Sequence, residues 1–212
     1  MKPFISSADS HFILRQARSV MNGHLKVNDA GVLGAVEELA AERAEARLSD
    51  TPAEFMELIG QVAEVRNEES FDRFREQLLP FVIAFPELTE HRLKKLFPKV
   101  KKLHPPDLSS VEWRDISYFG WNDLGAARKY LVWEREGKLH AKLGQFRPSG
   151  KKGVCAICNG LDEVGLFLSE TRHSGGETYT KRGNYICVDS EMCNRRIDEQ
   201  ERLDRFTETI GK

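Results

Sequence analysis

The residues of this chain best equipped for chemistry are four cysteines, all in its last third: Cys155-x2-Cys158, a spacer of 28 residues, then Cys187-x5-Cys193. Two thiolates on a tight C-x2-C turn supply half of a tetrahedral shell for a borderline-soft dication, and a second pair completes it. Gly153-Val154 leads into the first pair, Asn159-Gly160 turns the chain after it, and the β-prone Tyr185-Ile186 delivers Cys187. Zinc is the expected occupant, one ion per chain. Its expected role is structural, because four thiolates leave no position for water, whereas a catalytic zinc keeps one open. His173 in place of one cysteine is the alternative ligand. Disulfides are disfavoured, since no signal peptide opens the chain, which points to a reducing, cytoplasmic setting, and the cysteines cluster in one short region. The chain carries no G-x4-G-K-[ST] phosphate loop, no H-E-x-x-H, no G-x-S-x-G and no deaminase-type H-x-E beside P-C-x-x-C. Neither an enzyme nor a small-molecule substrate is expected.

The elements that must hold these cysteines are legible around them. A knuckle, β segments, then a helix carrying the last ligand is the chain order of a treble-clef finger. Asp189-Ser190 caps a helix read from about Glu191 into Glu208, with Ile197, Leu203 and Phe206 on its apolar side. Cys193 in its first turn gains from the positive helix end, which favours thiolate. Arg195 and Arg196 follow, placed to offset a formally doubly negative centre. Upstream, Lys129–Glu134 alternates, Glu136-Gly137 turns, and Leu139–Leu143 alternates again, a β-hairpin pattern. The aromatic run Ser117-Tyr118-Phe119-Gly120-Trp121 is expected to join it in a small sheet packed against the zinc module.

The N-terminal half reads as helices. Val32, Leu33, Val36, Leu39 and Ala40 recur at helical spacing from Asp29 to Leu48. Ser49-Asp50-Thr51-Pro52 stops that helix and starts another, with Thr51 as N-cap, Pro52 at the first helical position and Glu54 completing a capping box. Phe55, Leu58, Ile59 and Val62 form its stripe. A third helix follows Ser70 through Phe71, Phe74, Leu78 and Phe81, and a shorter one spans about His11 to Val20. Short connections make an antiparallel bundle the economical arrangement, its phenylalanines core rather than a cofactor box.

A chain of 212 residues with cysteines confined to one end reads as two domains: a helical bundle over 1–86, and an α/β domain over 87–212 whose finger covers about 150–210. The fold class is therefore α+β. Residues 1 to 90 carry 9 Lys and Arg against 16 Asp and Glu, while the remainder carries 23 against 17. An acidic half repels phosphate, so non-specific coating of nucleic acid is not expected. The run His91, Arg92, Lys94, Lys95, Lys99, Lys101, Lys102 and His104 is unmixed with acid, and Leu93, Leu96, Phe97, Val100 and Leu103 interleave with it. It reads as a solvated helix face or as a surface for an acidic partner or ribosomal RNA. No stretch approaches the roughly 20 apolar residues of a bilayer span, so no membrane partner is expected.

At Tyr118-Phe119-Gly120-Trp121-Asn122-Asp123, Arg128-Lys129-Tyr130, Val154-Cys155-Ala156-Ile157-Cys158 and Tyr185-Ile186-Cys187 with Cys193 downstream, the chain resembles the elongation factor G-binding proteins. These form the fusidic acid resistance (FusB-type) family, members of which also carry the name fibronectin-binding. The order of parts, with the basic Lys94–Lys102 segment between bundle and finger, is similar throughout. The resemblance implies a non-catalytic monomer that binds elongation factor G through its C-terminal domain and promotes its release from the ribosome, touching the ribosome only indirectly. It implies a contact surface on the finger, and the matching positions are Lys181, Arg182, Tyr185 and Phe206, with Lys181–Tyr185 read as a turn feeding a strand and Val154 nearby. Direct binding of ribosomal RNA is the alternative. A surface adhesin fits neither the thiolate site nor the expected compartment.

Overall fold

The computed structural model describes residues 2–48, 51–172 and 179–211. The chain divides into two compact units, Met1–Ile83 and Ala84–Lys212.

The first unit is helical: α1 (Ser7–Lys26), α2 (Ala30–Ala46), α3 (Ala53–Gly60) with a following 3-10 turn, and α4 (Glu68–Leu78). The segment expected as a short helix, α1, is the longest, at 20 residues. Ser6 caps it by accepting from the Asp9 amide at 3.0 Å, and Ile13, Ala17, Val20 and Met21 line its buried side. In α2 the buried side is Ala40 and Ala44, while Val32 and Leu39 of the expected stripe are 49% and 43% exposed. Of that stripe, Leu33 and Val36 face α1, 3.5 and 3.6 Å from where a Cβ on Gly23 would stand.

At α3 the N-cap is Pro52 rather than the expected Thr51, and the Glu54 side chain of the expected capping box lies outside the described residues. No side-chain bond caps it, and the Thr51 hydroxyl donates to the Leu48 carbonyl at 2.8 Å; Ser49 and Asp50 lie outside the described residues. A reciprocal box does form at α4, where Asn67 Oδ1 accepts from the Ser70 amide and Ser70 Oγ accepts from the Asn67 amide. Ser70 is thus inside the helix rather than ahead of it. Phe4, Phe55 and Phe81 meet edge to face at one end of the core, with centroids 4.9 to 6.0 Å apart.

In the second unit a short α5 (Glu90–Leu96), capped by Thr89, precedes β1 (Tyr118–Asp123), β2 (Arg128–Arg135), β3 (Lys138–Val154), β4 (Leu161–Arg172) and β5 (Tyr179–Cys187). Among the described residues these strands form one antiparallel sheet in sequential order. The expected hairpin is β2–β3, with Trp133 opposite His140. The finger is not a module packed against a separate sheet. Strand β3, 17 residues long, runs from the hairpin to the cysteine knuckle, bending at an irregularity between Pro148 and Lys151 where Gly150 adopts φ +65.

Alternation sorts β1 and β2 onto two faces. Phe119, Trp121, Tyr130 and Val132 pack with Phe85, Leu88, Leu93 and Phe97; Trp121 and Tyr130 stack at 4.5 Å, and Phe97 meets both rings edge-on. Tyr118, Gly120, Asn122, Lys129 and Leu131 face the other way. Two helices end the chain, α6 (Ser190–Asn194) and α7 (Gln200–Gly211), in place of the single helix expected from Glu191 to Glu208. Asp189 caps the first through the Glu191 and Met192 amides. Burial of Ile197 at 1% exposure marks the break as a packed corner.

Candidate metal centre

The four cysteines come together from three places: Cys155 and Cys158 on the knuckle between β3 and β4, Cys187 at the end of β5, and Cys193 on α6. All are buried and their sulfurs lie within 4.8 Å of one another. Cys155 and Cys193 approach to 3.7 Å, as do Cys158 and Cys187. A disulfide requires about 2 Å, and all four are free thiols. A tetrahedron of sulfurs at the usual zinc–sulfur length of about 2.3 Å has edges of roughly 3.8 Å, so the spacing fits one zinc ion. His173 lies outside the described residues.

The knuckle is held by its own backbone. Cys155 N donates to Gly160 O at 3.1 Å and Asn159 N to Cys155 O at 2.9 Å, and Asn159 takes the left-handed conformation, φ 56, that closes the turn. The Ile157 and Cys187 amides both donate to Cys155 Sγ at 3.3 Å. Hydrogen bonds from Cys158, Cys187 and Cys193 hold the Cys155 thiol far below its ordinary value, while those same contacts with Cys155 push Cys187 and Cys193 up. Four thiolates this close resist ionising together unless a cation joins them. Bound zinc supplies that charge and a closed tetrahedral crosslink between knuckle, strand and helix.

Buried polar groups lock the site to β1 and β2, and here the sequence reading missed the decisive residues. Asn194, next to Cys193, accepts from the Ser117 and Tyr118 amides at 2.8 and 3.2 Å and donates to the Tyr118 and Ser190 carbonyls, both at 2.9 Å. Gly120 lets α6 approach: a Cβ there would stand 2.9 Å from Ser190 Oγ. The Tyr118 phenol, fully buried, finds no oxygen or nitrogen partner among the described residues. Burial, then the charge of Cys193, raises it well above its ordinary value. Asn122 Nδ2 and Lys129 Nζ both donate to Val188 O, at 2.9 Å. The signal in the sequence was the period-two spacing of Tyr118, Gly120 and Asn122, opposite a lone lysine in the apolar β2.

Arg195 and Arg196, expected beside the metal, each have a carboxylate partner. Arg195 pairs with Glu191 at 2.5 Å on the exposed side of α6, and Arg196 with Asp162 at 2.6 Å.

Three of the positions expected to contact the partner lie on β5, at one end of the strand order, and the fourth, Phe206, lies on α7. Lys181 and Arg182 lie inside β5 rather than in a turn, opposite Glu170 and Ser169, and Lys181 Nζ sits 3.5 Å from Glu170. Tyr185 is 46% exposed. Three positions from Arg182 on a strand, it leaves the opposite face of the sheet. Phe206 is 5% exposed, its ring 6.0 Å from that of Phe167. Beside it a cleft of about 560 Å³ is lined by residues including Val154, Asn184, Arg202, Arg205 and Phe206.

The fold and site define a class: a helical unit followed by an antiparallel sheet that ends in a four-thiolate treble-clef zinc finger. Residues 98–210 match the family described as FBP C-terminal treble-clef zinc-finger, and the chain belongs to it. Residues 4–86 match a second family, described as elongation factor G-binding protein, N-terminal. The chain is similar to a solved structure described as that of the fusidic acid resistance protein FusC, with a TM-score of 0.83 and 27% identity over 99% of each chain. No curated protein matches it.

Proposed function

We propose that this protein is a non-catalytic factor that binds elongation factor G and promotes its release from the ribosome, giving tolerance to fusidic acid. The observation that carries this reading is end-to-end similarity to a fusidic acid resistance protein, with the family named for elongation factor G binding covering the helical unit. The finger supports it chemically: its metal shell is closed, so the centre serves as a rigid platform rather than a reaction site. Tyr185, Arg182 and Lys181 are the proposed contacts. Because Arg182 and Tyr185 leave opposite faces of β5, the partner must clasp this edge strand rather than lie on one face. Phe206 packs on Phe167 of β4 and meets the partner only through the cleft it shares with Val154.

Isothermal calorimetry of the zinc-loaded protein with elongation factor G tests this. Tyr185→Ala is expected to weaken binding by about 1–3 kcal/mol, the range of an interface anchor, with zinc content unchanged. Arg182→Glu should slow association if the facing surface is acidic. Wild-type affinity in both variants would remove this edge from the interface.

A second reading is direct contact with ribosomal RNA, favoured by one observation: Arg92, Lys94, Lys95, Lys99, Lys101 and Lys102 are all exposed. Only Lys94 has a carboxylate among the described pairs, Glu90 at 3.4 Å. Salt separates the two, since phosphate contacts weaken steeply between low and physiological salt whereas an apolar protein interface does not.

A further inference from the structure

Lys129 is the one residue of β2 whose burial the apolar pattern does not explain. It is 0% exposed, a state almost unknown for an unpaired lysine. Its Nζ donates to Asn122 Oδ1 at 3.0 Å and to Val188 O at 2.9 Å, and lies 4.9 Å from the centroid of the Phe146 ring. Three donors thus meet two neutral acceptors and a π-face, and no carboxylate pairs with it among the described residues. Neutral acceptors satisfy the hydrogen bonds of an ammonium but not its charge, and an uncompensated buried cation costs several kcal/mol. Such a group either gives up its proton or lies near an anion. One of its acceptors, Val188 O, belongs to the residue directly after Cys187. Burial draws the ammonium down to about 8, and Cys193, Cys187, Asp189 and Cys155 act in the opposite direction, three of the four being metal ligands.

We propose that Lys129 is the countercharge of the four-thiolate zinc centre, a positioning residue that makes a formally doubly negative site tolerable inside the protein. The assignment accounts for its neighbours. Asn122 pairs with Lys129 in register across β1 and β2, fixes the ammonium through Oδ1 and grips Val188 through Nδ2. Gly165 keeps the ring beneath Lys129 in place, because a Cβ there would meet Phe146 at 2.5 Å. Removing the charge should weaken zinc binding, since residues around a metal centre typically tune its affinity by about 10–100-fold.

The sign of the effect separates this from a merely structural lysine. Replacing an idle buried charge with methionine, of similar volume, is neutral or stabilising, and zinc affinity would not move. The test is competition for zinc with a chromophoric chelator on the full chain at neutral pH, comparing wild type, Lys129→Met and Lys129→Gln. Glutamine keeps a donor toward Val188 O without the charge. Both variants are expected to lose zinc about tenfold or more readily than wild type. Wild-type affinity in either variant overturns the proposal, in the glutamine variant because the hydrogen bond alone would then suffice. If neither variant folds, nitrogen-detected NMR of the zinc-loaded wild type decides. A protonated, exchange-protected Lys129 ammonium at neutral pH supports the assignment, and a neutral amine overturns it.

Discussion

At the scale of single residues, this protein uses a few buried polar groups to hold a metal site against a sheet. Asn194 is the most densely used of them. Replacing it with alanine leaves two amides and two carbonyls without their partner, and is expected to destabilise the second unit by about 2–4 kcal/mol. Urea denaturation of zinc-loaded Asn194→Ala checks this. Cys158→Ser opens the metal shell, and because binding and folding are coupled in such sites the finger should unfold. Metal analysis and circular dichroism are the readouts; a folded wild-type protein that contains no zinc would contradict the assignment. Glu37 offers a titration in the other unit. Its carboxyl is held below its ordinary value first by the hydrogen bond with His24 and further by Arg66, at 2.8 and 2.9 Å. A depressed carboxylate contributes stability above its unfolded pKa of about 4.5, lost as pH falls through the folded value. Glu37→Gln should therefore flatten the acid limb of the stability profile and leave the neutral region less stable.

At the scale of elements, the edge strand and the last helix can be told apart by experiment. Phe206 on α7 packs on Phe167, and Ser169 Oγ donates to Ile210 O at 3.1 Å, so α7 is seated on the sheet by a ring and a hydrogen bond. Truncating Phe206 to alanine is expected to cost about 3 kcal/mol of stability, with any loss of partner binding following from that. Tyr185→Ala should lose binding with its melting temperature nearly unchanged. Thermal melts run beside calorimetry distinguish the two. The helices of the first unit show how far local rules carry. The third helix was expected to follow Ser70, but Asn67 is its N-cap and Ser70 lies in its first turn. At α3 the N-cap is Pro52 rather than Thr51, and the Thr51 hydroxyl donates to the Leu48 carbonyl just past the end of α2.

At the scale of the molecule, the two units have separate cores, and Phe85 and Leu88 belong to the second. The Phe85 amide donates to Trp113 O at 2.7 Å. A fragment from Ala84 to Lys212 is thus expected to fold with zinc and to keep its affinity for elongation factor G, measured by calorimetry against the full chain. Failure of that fragment to bind would place part of the interface on the helical unit. No helix is long and apolar enough to cross a membrane among the described residues.

What the sequence by itself determined is whatever depends on neighbours within a turn or a strand. The cysteine types and spacing named the metal, helical spacing named most of the bundle, and alternation named the β2–β3 hairpin. Tertiary structure alone decided which charge answers the thiolates. Arg195 and Arg196 stood closest in sequence, yet each is engaged by a nearby carboxylate. The buried cation comes from Lys129, 59 residues from the carbonyl it holds, as Asn194 comes from 76 and 77 residues beyond the amides it caps. It also decided that Val32 and Leu39 stay exposed and that the last helix breaks at Ile197. The physical reason is common to all of these. Burial and charge compensation are set by what lies across the fold, and no local period records what that neighbour will be.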